Sequence, residues 1–204
     1  MRLAALALTA TIVGGAPVSA GADDPNFAAF HRICIATRGE RDAALGAAEA
    51  EGFVRPPKAF FDRADRPPVA LEDLEVRMKL VQDGLQFVFV GGMTAPFQDH
   101  YRAIVCVMGI NPLSPASEQA ASAWGGVAPV EGDPDHQMQL FVGKDGAHKT
   151  TDPDHMDLAA RSGELQMLGA GRSGDLSLMM YGFLRPVSGP QASSGSPSQS
   201  DRSP

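Results

Sequence analysis

Three apolar segments in the middle of the chain constrain the fold most. Leu74–Val81 alternates apolar with charged residues, whereas Leu85–Val90 and Tyr101–Ile110 are apolar at nearly every position. Alternation is typical of a strand with one buried face, and a continuous apolar run is typical of a strand buried on both faces. Asp83-Gly84, between the first two segments, is a strong hairpin signal. These segments therefore predict consecutive antiparallel strands.

Helical patterns flank these strands on both sides. We predict helices from Asp24 toward Gly39, from Glu40 to Glu51, from Ser114 to Gly125 or Gly126, and from Asp152 to Ser162. Most other segments read as strands that are joined by tight turns. The whole pattern predicts an α+β domain with a mainly antiparallel sheet of about seven strands and helices packed on one face.

The N-terminus has the pattern of a secretory signal peptide. Arg2 precedes the apolar segment Leu3–Ala16, and small residues then offer cleavage after Ala20 or Ala22. This pattern predicts a leader at residues 1–22 and export to the periplasm or the medium, an uncleaved N-terminal anchor being the alternative. No later stretch approaches the ~18 apolar residues that a membrane span needs.

The rest of the chain is predicted to form one domain and a tail. Residues 23–186 are enough to bury a core. The Ser-, Pro- and Gly-rich residues 187–204 contain few apolar side chains, which predicts disorder. The net charge is −7, and Lys and Arg form no cluster in the sequence. The charge pattern therefore argues against a nucleic-acid partner.

The only two cysteines, Cys34 and Cys106, are predicted to form a disulfide, because an exported protein meets an oxidising environment. Two buried thiols that never meet are the alternative. The pairing would close a loop of about 70 residues, for which chain entropy gives at most about 4 kcal/mol.

Motifs of known chemistry provide little evidence of function in this sequence. The segment Gly169–Gly174, "GAGRSG", matches a dinucleotide-binding fingerprint, but the residues after it alternate like a strand, so a hairpin turn is predicted instead. The chain has no G-x-S-x-G, S-x-x-K or H-E-x-x-H motif. Trp124 is predicted to anchor the core, His31 to lie at its boundary, and His148 to face water.

The string Asp-Pro-Asp-His occurs twice, at residues 133–136 and 152–155. Asp-Pro favours turns, and the second copy also suits the start of a helix. A hairpin about Asp145-Gly146 would place His136 opposite His155 and bring the two copies together. Carboxylates and imidazoles are ligands for Zn²⁺ or Mn²⁺, and carboxylates alone suit Ca²⁺. The candidate ligands of such a divalent metal are Asp133, Asp135, His136, Asp152, Asp154 and His155; a solvated acidic loop pair is the alternative.

The segment Cys34–Phe53, "CIATRGERDAALGAAEAEGF", resembles small exported bacterial proteins of unassigned activity. It has a cysteine, then Thr-Arg-Gly and an acidic residue, then a helix rich in alanine that ends in Gly and an aromatic residue. The resemblance implies a bacterial exported protein and carries over no catalytic residue.

These observations favour an exported, non-catalytic domain that binds a protein partner or a small ligand and needs no cofactor. The alternative is a metal-binding protein or a metal-dependent hydrolase that uses the two Asp-Pro-Asp-His strings.

Overall fold

The computed structural model describes residues 24–57, 72–94, 101–130, 136–144 and 147–186. The leader predicted at 1–22 and the tail predicted at 187–204 lie outside these residues. Asp133, Asp135 and the side chain of Asp154 lie outside them as well.

The described strands form one seven-stranded sheet in the order β1-β2-β3-β7-β6-β4-β5. Every neighbouring pair is antiparallel. The strands are β1 (Glu72–Val81), β2 (Gly84–Thr94), β3 (Tyr101–Asn111), β4 (His136–Lys144), β5 (Ala147–Thr150), β6 (Gln166–Ser173) and β7 (Leu176–Pro186). The predicted hairpin at Asp83-Gly84 joins β1 to β2, where Val81 pairs with Gly84.

The helices are α1 (Pro25–Phe30), α2 (Arg41–Ala50), α3 (Pro115–Gly125) and α4 (Pro153–Ser162), and a π-helical turn (His31–Ile35) follows α1. One face of the sheet carries an apolar cluster. It consists of residues from α1, the π-helical turn, α2 and α3 together with strand residues such as Val90 and Met108. The predicted α+β fold with a seven-stranded antiparallel sheet is therefore confirmed, but the prediction that the helices pack on one face is wrong for α4. Ala159 and Ala160 of α4 belong to a second cluster, on the opposite face.

Cys34 and Cys106 form a disulfide whose Cα atoms are 5.3 Å apart. Cys34 lies in the π-helical turn and Cys106 in β3, and both are fully buried. β3 lies between β2 and β7 in the sheet. The bond therefore fixes the N-terminal helical segment to an interior strand.

The first predicted helix is correct in position but not regular. Asp24 caps α1, since its side chain accepts a hydrogen bond of 2.7 Å from the backbone N–H of Phe27. The π-helical turn then adds a residue to the turn that carries Cys34. The segment ends in two left-handed residues, Arg38 at φ 58° and Gly39 at φ 65°. Gly39 is the stop that the sequence predicts.

We expect the disulfide to contribute strongly to stability, because it links residues separated by 72 positions. Replacing both cysteines by alanine should lower the free energy of unfolding by up to about 4 kcal/mol through the larger entropy of the unfolded chain. Denaturant unfolding of the oxidised protein and of the double variant measures this difference. Reductant should destabilise the wild type and leave the variant unchanged; equal stability of the two proteins would contradict the prediction.

Candidate functional site

The β4–β5 hairpin has the predicted register at its closed end. Lys144 pairs with Ala147 and, three pairs further, Phe141 pairs with Thr150. β5 ends there, and the chain turns into α4 at Pro153. The second Asp-Pro-Asp-His string therefore forms the predicted helix start.

Val130 prevents the hairpin from extending to the histidines. The N–H of Val130 donates a hydrogen bond of 2.7 Å to the carbonyl oxygen of Met138, and Met138 pairs with Gly169 of β6 on its other side. Val130 therefore holds the place that a longer β5 would give to Pro153. The predicted pairing of His136 with His155 is wrong, and the strand partner of His136 is Gly171.

The candidate metal ligands are only partly described. In the second string, the Nδ1 of His155 lies 4.0 Å from the Oδ2 of Asp152, and both side chains are exposed. His136 is also exposed, at the start of β4. Within the described ranges, no group of three or more His, Cys, Asp or Glu side chains could hold a metal ion. A metal site that includes Asp133, Asp135 and Asp154 stays a prediction.

Trp124 lies at the centre of a cluster of aromatic and histidine rings on the helix-covered face. Its ring centroid is 4.4 Å from that of His148, 5.9 Å from that of His31 and 6.1 Å from that of Tyr181. The Nδ1 of His148 is 3.0 Å from the carbonyl oxygen of Gly125. The predicted exposure of His148 to water is therefore wrong, because β5 brings this ring against α3. The pKa of His31 lies below its ordinary value. The main cause is partial burial of the ring, and the second is the nearby positive charge of Arg32.

The "GAGRSG" segment lies in a hairpin, as the sequence predicts. β6 runs through its first five residues, Gly174 has a φ of 58°, and β7 follows at Leu176. No helix follows the segment to receive a pyrophosphate, so the dinucleotide fingerprint lacks its structural context.

Two glycines of this segment shape a groove on the opposite face of the sheet. Met138, Gly169 and Met180 pair in one row across β4, β6 and β7, and His136, Gly171 and Leu178 pair in the next row. Side chains on β4 and β7 therefore flank two neighbouring positions where β6 has none. A Cβ atom at Gly169 would come within 2.9 Å of the Cε of Met180. The floor of the groove is therefore the backbone of β6 at Gly169 and Gly171, where no side chain projects.

We call this feature the methionine groove. It encloses about 280 Å³ and is lined by Met93, Val107, His136, Gln137, Met138, Gly169, Ala170, Gly171, Ser173, Leu178 and Met180. Among these residues, none carries a carboxylate, guanidinium or ammonium group. Three flexible thioether side chains give the walls an apolar surface that can adapt to a ligand. The arrangement suits a small apolar molecule.

Sequence reasoning missed the methionine groove for a specific reason. The glycine pattern was visible, but only strand pairing shows that Gly169 and Gly171 lie between side chains of β4 and β7. A glycine inside a strand often marks a close approach of a ligand or another backbone, and that signal could have indicated the site.

No known protein family, curated protein or solved structure matches this chain. The resemblance of Cys34–Phe53 to small exported bacterial proteins therefore stays an expectation. No helix in the described ranges is long and apolar enough to cross a membrane.

The burial of the two tyrosines can be tested by an alkaline pH titration. Tyr101 and Tyr181 are 1% and 3% exposed. Burial raises the pKa of each phenol to about 12, with a further contribution from the hydrogen bond that Tyr101 donates to Asp157. Because the folded pKa lies above the ordinary value of about 10, the neutral phenols stabilise the fold below pH ~10, and this stabilisation is lost as the pH rises further.

Tyrosinate absorbance measured during an alkaline titration checks this prediction. We expect no ionisation near pH ~10 in the folded protein and ordinary ionisation in denaturant. Tyr101→Phe and Tyr181→Phe should each remove one phenol from the titration. Ionisation of either phenol near its ordinary pKa in the folded protein would be the contrary result.

Proposed function

We propose that the protein is an exported, non-catalytic domain that binds a small apolar molecule in the methionine groove. The observation that carries the proposal is the uncharged groove over Gly169 and Gly171, flanked by the side chains of Met138 and Met180. Export to the periplasm or the medium is supported by the leader pattern at residues 1–22 and by the disulfide.

The size and chemistry of the groove determine what it can hold. Its volume of about 280 Å³ is near the lower end of ligand sites, which favours a compact ligand. Burial of about 200 Å² of apolar ligand surface gains about 5 kcal/mol, and the lost freedom of the ligand offsets part of this. Ser173 among the lining residues could bind one polar group of the ligand. We therefore propose an affinity in the micromolar to millimolar range.

Binding of the neutral fluorophore N-phenyl-1-naphthylamine tests the proposal. We expect the wild type to bind it and Gly169→Val to bind at least about tenfold more weakly, because the new side chain occupies the floor. The Cε of Met180, at the end of a flexible side chain, is the nearest atom to the new Cβ, so the variant should still fold. Fluorescence titration and thermal melting measure both effects.

Leu80→Gln and Leu158→Gln are the matched controls, because Leu80 and Leu158 are 79% and 68% exposed and do not line the groove. Both variants should bind the fluorophore like the wild type. If they weaken binding and a folded Gly169→Val does not, the fluorophore binds exposed leucines and the proposal is wrong.

The second candidate is a metal-binding protein or a metal-dependent hydrolase that uses the two Asp-Pro-Asp-His strings. The exposed pair of Asp152 and His155, with 4.0 Å between Oδ2 and Nδ1, favours it, because both side chains could bind an ion from solvent. The pairing of His136 with Gly171 rather than with His155 argues against it.

Metal addition separates the two candidates. For the proposed apolar site, we expect the melting temperature of untagged protein to be unchanged by EDTA, Zn²⁺, Mn²⁺ or Ca²⁺, since a cation that binds only the folded state would raise it. Elemental analysis of the purified protein completes the test. A rise in melting temperature that is lost in both His136→Gln and His155→Gln would support the metal site instead.

A further inference from the structure

Two arginines border an apolar patch on the face of the sheet opposite the methionine groove. The patch lies beyond the part of that face that the helices cover. Ile104 of β3 and Phe183 of β7 are strand partners, and Ile104 is 47% exposed. Arg38, from the end of the first helical segment, and Arg185, two residues beyond Phe183, line the same cleft. We call these four residues the arginine platform.

The guanidinium of Arg38 lies over the aromatic part of the patch. Its Cζ lies 4.3 Å from the centroid of the Phe183 ring, and its Nη2 lies 3.5 Å from the carbonyl oxygen of Gly163. Stacking of this kind orients the guanidinium and leaves its edge free to donate hydrogen bonds. Among the described residues, no carboxylate forms an ion pair with Arg38 or Arg185.

Positive charge is concentrated around the platform. Arg102 and Arg185 are direct cross-strand partners, and like charges in that position repel each other. Glu72 lies 2.6 Å from Arg102 and neutralises it. Arg185 has no such partner in the described ranges, although the whole chain has a net charge of −7. An anion on the platform would relieve this repulsion.

The backbone of Arg38 points to a role for its side chain. Arg38 has a φ of 58°, in the left-handed region that costs energy for any residue except glycine. A strained residue persists where the surroundings impose it, and such residues cluster at ligand sites. Glycine would adopt this turn freely, so the presence of arginine here favours a use for its side chain.

We infer that the arginine platform binds the carboxylate of a small organic acid whose apolar body lies on Ile104. The cleft encloses about 30 Å³, enough for one small polar group. Arg38 and Arg185 each present several N–H donors to the two carboxylate oxygens, a geometry that guanidinium groups match well. Glu40 also lines the cleft, and its carboxylate repels any anion, more strongly one of higher charge such as phosphate.

Calorimetric titration with benzoate tests the inference, with benzamide, acetate and phosphate as comparison ligands. We expect benzoate to bind about tenfold more tightly than acetate, because its ring contacts Ile104, and benzamide not to bind. Absence of benzoate binding, equal binding of benzamide, or tighter binding of phosphate would each overturn the inference.

Variants locate the binding. Arg38→Gln and Arg185→Gln should each weaken benzoate binding by about tenfold or more. Arg38→Lys should also weaken it, because an ammonium neither stacks flat nor binds a carboxylate through two parallel N–H groups. Arg55→Gln is the matched control, since Arg55 is an exposed arginine outside the cleft. An equal loss in Arg55→Gln would show only a general effect of charge.

Arg38→Gly separates ligand binding from a structural role. Relief of the left-handed strain should offset the lost stacking, so the melting temperature should fall by no more than about 3 °C while benzoate binding is lost. A larger fall would assign Arg38 to the stability of the fold and overturn its proposed role as a ligand contact.

Discussion

The pairing of β3 with both β2 and β7 is the interaction on which the rest of the structure depends. The register is continuous for ten residue pairs on each side of β3. Side chains of β3 enter both apolar clusters, Val105 and Val107 on one face and Cys106 and Met108 on the other. The disulfide from Cys106 to Cys34 then fixes the N-terminal helical segment to this strand. The position of Arg38, four residues beyond Cys34, follows from that bond.

Much of the fold could be predicted because local signals and global packing agree. The apolar run of β3 needed two strand neighbours and two covered faces, and it has them. The helix starts at Asp24 and Asp152 and the left-handed glycines at positions 39 and 52 are local chemistry, which a sequence shows directly. Agreement between levels of this kind is what makes a chain predictable.

The errors arose where a distant segment decided the outcome. Extending the β4–β5 register to His155 assumed that the edge of β4 was unoccupied, and Val130 fills that edge at Met138. Exposure of His148 was inferred from the polar composition of β5, but α3 brings Trp124 against its ring. The methionine groove and the arginine platform depend on which residues become cross-strand partners. No local pattern fixes those partners. The strand glycines Gly169 and Gly171 were a signal for the groove, but only the pairing places them between side chains of β4 and β7.

The alternation of side chains along β7 keeps the two sites chemically separate. Leu178 and Met180 point to the face with the uncharged groove, whereas Phe183 and Arg185 point to the face with the arginine platform. The polar backbone of the sheet lies between these faces, so a single small ligand cannot contact both. A charged group in the groove would lose its hydration without gaining a charged partner, whereas an uncharged molecule on the platform would gain no charge-assisted hydrogen bond from Arg38 or Arg185. The two proposed sites would therefore take different classes of ligand, an uncharged molecule in the groove and a carboxylate on the platform.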